Sequence, residues 1–159
     1  MIVLEVEVEA EGWRTVPDIE RLAQQAAEAA IACAPRPLDD AVAATLLLTG
    51  DAEIAELNRL WRGQNKPTNV LSFPASFRGR PGERRPIGDI ALAYETVARE
   101  SDAEGKAFAD HASHLVVHGI LHLLGEDHTT DLQADAMERI EVAALAKLGI
   151  SDPYRDLSA

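Results

Sequence analysis

Ile2 to Glu9 alternates apolar and acidic side chains, the period-two pattern of a strand with one buried face. Pro17 then opens a stretch in which Ile19, Leu22, Ala23, Ala26 and Ala30 recur at helical spacing, and Pro35 with Pro37 closes it. Ala41 to Leu48 is a short, nearly continuous apolar run, which predicts a central strand buried on both faces. Asp51 is placed to cap a second helix, with Ile54, Leu57 and Trp61 on its inner face and Gly63 as its stop. Val70 to Phe73 reads as a third strand with its exit at Pro74. Residues 75 to 87, rich in Arg, Pro and Gly, read as an exposed loop, and Gly88 to Ala93 as a fourth strand. The pattern then turns helical: a short helix from Tyr94 to about Glu100 and a long one from about Lys106 to Leu124. A last helix is opened by a capping box at Thr130 and Gln133 and stopped at Gly149. Strands come early and helices gather late, so the predicted fold is α+β, a small mixed four-stranded sheet packed against helices.

A length of 159 residues suits one domain, residues 1–159, able to bury a core without staples. Aromatics make up 4% of the chain, so that core is built mainly from Leu, Val, Ile and Ala. Cys33 is the one cysteine; it excludes an internal disulfide, fits a reducing compartment, and reads as a small buried hydrophobe. The start of the chain has no basic leader and the apolar runs are too short to span a bilayer, so a cytoplasmic protein with no membrane partner is expected.

A net charge of −12 argues against a nucleic-acid partner, because phosphate contact depends on Lys and Arg. The charge is uneven, however. Between Arg59 and Arg85 seven basic residues face the single acid Glu83, giving +6 there against −18 for the remainder. Such a segment either holds a polyanion at one place on an acidic body or is a solvated arginine loop, and its composition weighs the two equally.

The candidate chemistry lies late in the chain. All five histidines fall between His111 and His128. His118 and His122, four apart on a helix, share one face and can converge on one cation. His128 comes six residues later, past Gly125, where a left-handed glycine can stop the helix and let the chain return a third imidazole. Three neutral imidazoles leave a fourth position on a divalent ion open to water, as in catalytic rather than structural zinc sites. The same ligand set also accepts nickel or copper. His111 reads as a core or solvated residue. His114, one turn before His118 on the same face, is a catalytic residue touching substrate, a partner supporting a ligand, or neither, and Asp127 is a candidate to fix an imidazole tautomer. The spacing is that of the long zincin pattern, but Gly119 stands where a peptidase carries its glutamate base, so peptide hydrolysis is disfavoured. That glycine either clears space for a bulky polyanionic substrate or serves close helix packing.

Taken with Asn65-Lys66-Pro67-Thr68-Asn69-Val70-Leu71-Ser72-Phe73-Pro74 and Gly88-Asp89-Ile90, the run from His118 to His128 resembles the YbeY family of bacterial endoribonucleases. The resemblance extends from about Leu46 to Tyr154. It implies a zincin-like α+β fold and one Zn(2+) per chain on His118, His122 and His128. It also implies zinc-dependent cleavage of single-stranded RNA, maturation of the 3′ end of small-subunit ribosomal RNA, and ribosome quality control. The implied partners are that ribosomal RNA, the ribosome and ribosome-assembly proteins, with no DNA expected. Arg62 matches the family's functional arginine; its planar fork suits a scissile phosphate. The family commonly has Gly-Tyr-Asp-His where this chain has Gly125-Glu126-Asp127-His128, which places an acid able to act as a base or to repel phosphate. Asn69 and Ser72 are candidates for substrate contacts or for turn and packing roles. Two other functions are to be weighed: a non-catalytic ribosome assembly factor with a structural metal, and a hydrolase of peptides or small molecules.

Overall fold

The computed structural model describes residues 2–35, 41–76, 79–126 and 129–154. Along the chain run β1 (Ile2–Val8), a 3-10 turn (Glu11–Thr15), α1 (Ile19–Cys33), β2 (Val42–Thr49), α2 (Asp51–Arg62), β3 (Val70–Pro74) and β4 (Arg85–Ala93). Three helices follow: α3 (Tyr94–Glu104), α4 (Phe108–Leu123) and α5 (Asp131–Lys147). The α+β expectation holds, with the four strands in the order β1-β2-β4-β3. β1, β2 and β4 are mutually parallel, and β3 is antiparallel to β4 at the edge.

Alternation along the strands sorts side chains to two faces. Val42, Ala44, Leu46 and Leu48 of β2 and Ile90 and Leu92 of β4 join the main core under α1, α4 and α5. The opposite face is smaller: Leu71, Ala91 and Ala93 pack with Ile54 of α2, and Leu47, Leu57 and Phe73 close around them. β2 is central and covered on both sides, as its apolar run predicts. No helix among the described residues is long and apolar enough to cross a membrane.

Four local expectations change. Asp51 is not the cap of α2 but its first residue, after Gly50. Its N–H donates to the carboxylate of Glu95 at 2.7 Å, while its own carboxylate accepts from Thr96 and Arg99. Burial raises the Asp51 carboxyl, and those bonds together with the Arg99 charge outweigh it and leave the group below its usual range. β4 begins at Arg85, where Arg85 and Pro86 pair with Val42 and Ala43 before Ile87 bulges out of register, so the exposed loop is shorter than expected. A 3-10 turn, not expected, carries the fully buried Trp13. Trp61, expected on the inner face of α2, is 70% exposed.

The sheet edge and α4 meet at Gly88, whose φ is +141°. A Cβ built there lies 2.2 Å from the backbone oxygen of Phe73 and 2.8 Å from Leu123 Cδ2. Gly88→Ala is expected to cost about 3 kcal/mol, combining backbone strain with an overlap that only movement of β3 relieves. Urea unfolding at neutral pH measures it, and an unchanged midpoint contradicts it.

Candidate active site

Helical spacing alone places the first two candidate ligands. On α4, the rings of His118 and His122 lie 4.7 Å apart, centroid to centroid, inclined at 70°. The helix ends just beyond them. Gly125, at φ +94°, donates its N–H to the His122 carbonyl, and Glu126 donates to the Leu121 carbonyl, a Schellman closure that ends the helix. His128 and Asp127, the expected third ligand and its neighbour, lie outside the described residues.

Behind His118 stands a residue that local spacing did not reveal. Glu141 of α5 is 1% exposed, and its Oε1 accepts from His118 Nδ1 at 2.6 Å. Its Oε2 accepts from His114 Nε2 at 2.9 Å and from the Tyr154 hydroxyl. Burial pushes the Glu141 carboxyl up, but the hydrogen bonds from His114, His118 and Tyr154 and the charge of His118 outweigh it and hold the group at about 2. Burial and the adjacent carboxylate push the Tyr154 phenol well above its ordinary range. A carboxylate oxygen only accepts, so Nδ1 of His118 carries a proton toward Glu141, and in the neutral ring that tautomer presents the Nε2 lone pair to a ligand. This carboxylate–imidazole pairing orients and strengthens a metal-ligating histidine.

His114 sits in the supporting layer. It does not line the main cleft; its Nε2 donates to Glu141, and its buried Nδ1 has no hydrogen-bond partner among the described residues. His111 takes a core place, 5% exposed, with Nε2 2.9 Å from Glu100 Oε1. Asn69 donates to the same oxygen at 2.9 Å, which ties the start of β3 to α3.

In front of the histidines lies a cleft of about 850 Å³, walled by α4, β3 and the segment between α2 and β3. His118, His122, Arg62, Lys66, Ser72 and Glu126 all line it. Gly63, left-handed at φ +69°, ends α2 so that Arg62 reaches across the sheet edge, where its Nη2 donates to the Ser72 carbonyl at 3.1 Å. The wall that carries Lys66 is braced by Asn58, 3% exposed, whose amide donates to the Lys66 carbonyl at 2.9 Å. The basic segment is therefore divided. Arg62 and Lys66 face the cleft, Arg59 pairs with Glu56, and Arg80, Arg84 and Arg85 surround a separate surface hollow. Arg78 lies outside the described residues.

Gly119 resolves toward packing. A Cβ there lies 2.9 Å from Ile90 Cδ1 and 3.0 Å from Ile90 Cγ2, so the position faces β4 rather than open space beside the histidines. The place where a peptidase carries its base is filled by the sheet.

Comparison with known proteins was made against this geometry. A family model described as Endoribonuclease YbeY matches residues 7–149. A Bradyrhizobium protein named Endoribonuclease YbeY is 49% identical over 156 residues, covering 96% of this chain and 92% of its own. An Erythrobacter litoralis protein of the same name is 46% identical over 162 residues, covering 96% and 99%. The solution structure of a Thermotoga maritima protein superposes with a TM-score of 0.56 at 23% identity, covering 97% of this chain and all of that one, and supports the fold.

Proposed function

This chain belongs to the YbeY endoribonuclease family, and on that premise we propose that its cleft cuts single-stranded RNA with the help of one zinc ion held by His118, His122 and His128. The observation that carries the reading is the buried Glu141 carboxylate on His118 Nδ1, which selects the neutral tautomer whose Nε2 can bind an ion beside a second imidazole. A hydrogen-bonded carboxylate behind one of two converging histidines is the arrangement a divalent ion needs. When bound, such an ion supplies Lewis acidity to a phosphoryl oxygen and makes water acidic enough to ionise near neutral pH.

The chain's own residues do the rest. Arg62 sets a guanidinium at the cleft edge, where a planar fork can grip two oxygens of one phosphate and meet the charge that grows on it. Lys66 adds a second positive charge on the same wall. Edge strand β3 offers a straight border along which an extended strand of RNA can lie. Glu141, His114 and Tyr154 hold the His118 ring in place from behind. Product chemistry identifies the nucleophile: a 2′,3′-cyclic phosphate excludes direct attack by water.

Arg62→Ala is expected to lower single-turnover cleavage about 100-fold. Arg62→Lys recovers a small part, because lysine keeps the charge and loses the fork. Full activity in Arg62→Ala removes the arginine from the reaction. Within cells the proposed substrate is the 3′ end of small-subunit ribosomal RNA, met in the cytoplasm on the ribosome with its assembly proteins. Folded variants without nuclease activity leave those ends unprocessed; normal ends with such variants transfer the role from cutting to assembly.

A further inference from the structure

The two tryptophans of this chain stand in opposite settings. Trp13 is fully buried, edge-on to Phe108 and Tyr94, with its indole N–H donating to the Thr49 carbonyl at 2.9 Å. Trp61 is 70% exposed at the end of α2, next to Leu60, itself 61% exposed. Its ring leans on Phe73 at 6.1 Å between centroids and leaves most of its surface in water.

Trp61 does not itself line the cleft; it leans on Phe73, which closes the α2 side of the sheet, and it is one residue from Arg62, which does line the cleft. Arg62 bonds the Ser72 carbonyl, and Ser72 and Pro74, which flank Phe73 on β3, line the cleft as well. The indole therefore stands where α2 meets edge strand β3, next along the helix from Arg62, whose guanidinium crosses that edge to Ser72. We propose that Trp61 is a stacking platform for an unpaired base of the RNA strand whose backbone passes Arg62, and that it contributes to the enzyme's preference for single strands. This rests on reading the cleft as the RNA-cutting site.

The chemistry favours a nucleic-acid occupant. Phosphates complement the cationic rim, and a flat aromatic surface accepts any base, since every base has a π-face. Support from Phe73 limits the freedom that the indole loses when a base settles on it. Bases in a duplex already stack on their neighbours, so only a strand with splayed bases can use the platform. The exposed apolar patch amounts to Leu60 and Trp61, little beside the area of about 800 Å² that a stable protein partner covers on one side.

The test has two arms, each using the whole chain loaded with zinc. In steady-state cleavage of a short single-stranded oligonucleotide, Trp61→Ala raises KM about tenfold, equivalent to about 1.4 kcal/mol, while kcat falls less than twofold. Trp61→Tyr restores most of the difference. The margin between single-stranded and duplex substrates narrows in Trp61→Ala by a similar factor. In the second arm oligouridylate quenches the solvent-exposed Trp61 emission of the wild type, with buried Trp13 as the unresponsive reference. An unchanged KM together with unquenched Trp61, in a wild type that does cut RNA, overturns the proposal and leaves the cutting site standing. A wild type that neither binds nor cuts single-stranded RNA overturns both readings.

Discussion

Replacing His122 with alanine is expected to lower RNA cleavage by about a thousandfold or more and to abolish the proposed metal binding, while the protein stays folded. The magnitude follows from the proposed role: a residue that would hold an ion able to stabilise charge on a phosphoryl group would carry much of the transition-state stabilisation. His118→Ala has the same effect on activity, but it also takes one partner from the buried Glu141 and so carries a stability cost. His122→Ala leaves Glu141 with His114, His118 and Tyr154, which makes it the cleaner variant. Near-normal cleavage by a folded, metal-depleted His122→Ala protein contradicts the role. Circular dichroism and metal analysis on the same preparation separate loss of the ion from loss of the fold.

Substituting Glu141 reaches the site from behind. Glu141→Gln keeps the shape, but offers one acceptor where His118, His114 and Tyr154 all require one. Metal affinity is expected to fall 10- to 100-fold, roughly the usual effect of removing a hydrogen-bonded carboxylate behind a ligand. Competition with a chelator measures that change without reference to activity. The metal-free variant is also expected to be less stable by about 2 kcal/mol near neutral pH. The pH dependence has a defined sign. Glu141 is held at about 2 in the folded chain against 4.5 for the ordinary group. Its ionised form therefore contributes stability that is fully present above about 4.5 and is lost as the pH falls toward 2. The gap between wild type and Glu141→Gln in urea unfolding shrinks over that interval. A gap that widens on acidification, or a metal affinity that does not move, contradicts the role given to Glu141.

What could be read from the chain was what local spacing encodes. Alternation in β1, the apolar run of β2 and the capping box at Thr130 are decided within a few residues, and the four strands and main helices follow from them. His118 and His122 were legible for the same reason, since i and i+4 on one helix share a face whatever packs against it. Long-range partners were not. The group capping the α2 N-terminus belongs to Glu95, 44 residues on, and the chain around Asp51 gives no sign of it. Glu141 looks like one more acid on an acidic helix. A signal existed: it lies four residues after Met137 and three before Ala144, so it falls on the buried stripe of α5. Trp61 misled in the opposite direction. It continues the apolar spacing of Ile54 and Leu57, but it falls outside the cluster those two join and leans on Phe73 with most of its ring in water. Gly119 left two readings open, and only the position of Ile90 on β4 decides between them.

The most direct test is metal content and RNA cleavage measured on one preparation, before chelation, after it, and after zinc is restored. About one ion per chain, loss of cleavage of single-stranded RNA with the metal, and recovery with zinc are expected. A folded protein stripped of metal that cuts the same RNA at an undiminished rate would contradict the account at its centre.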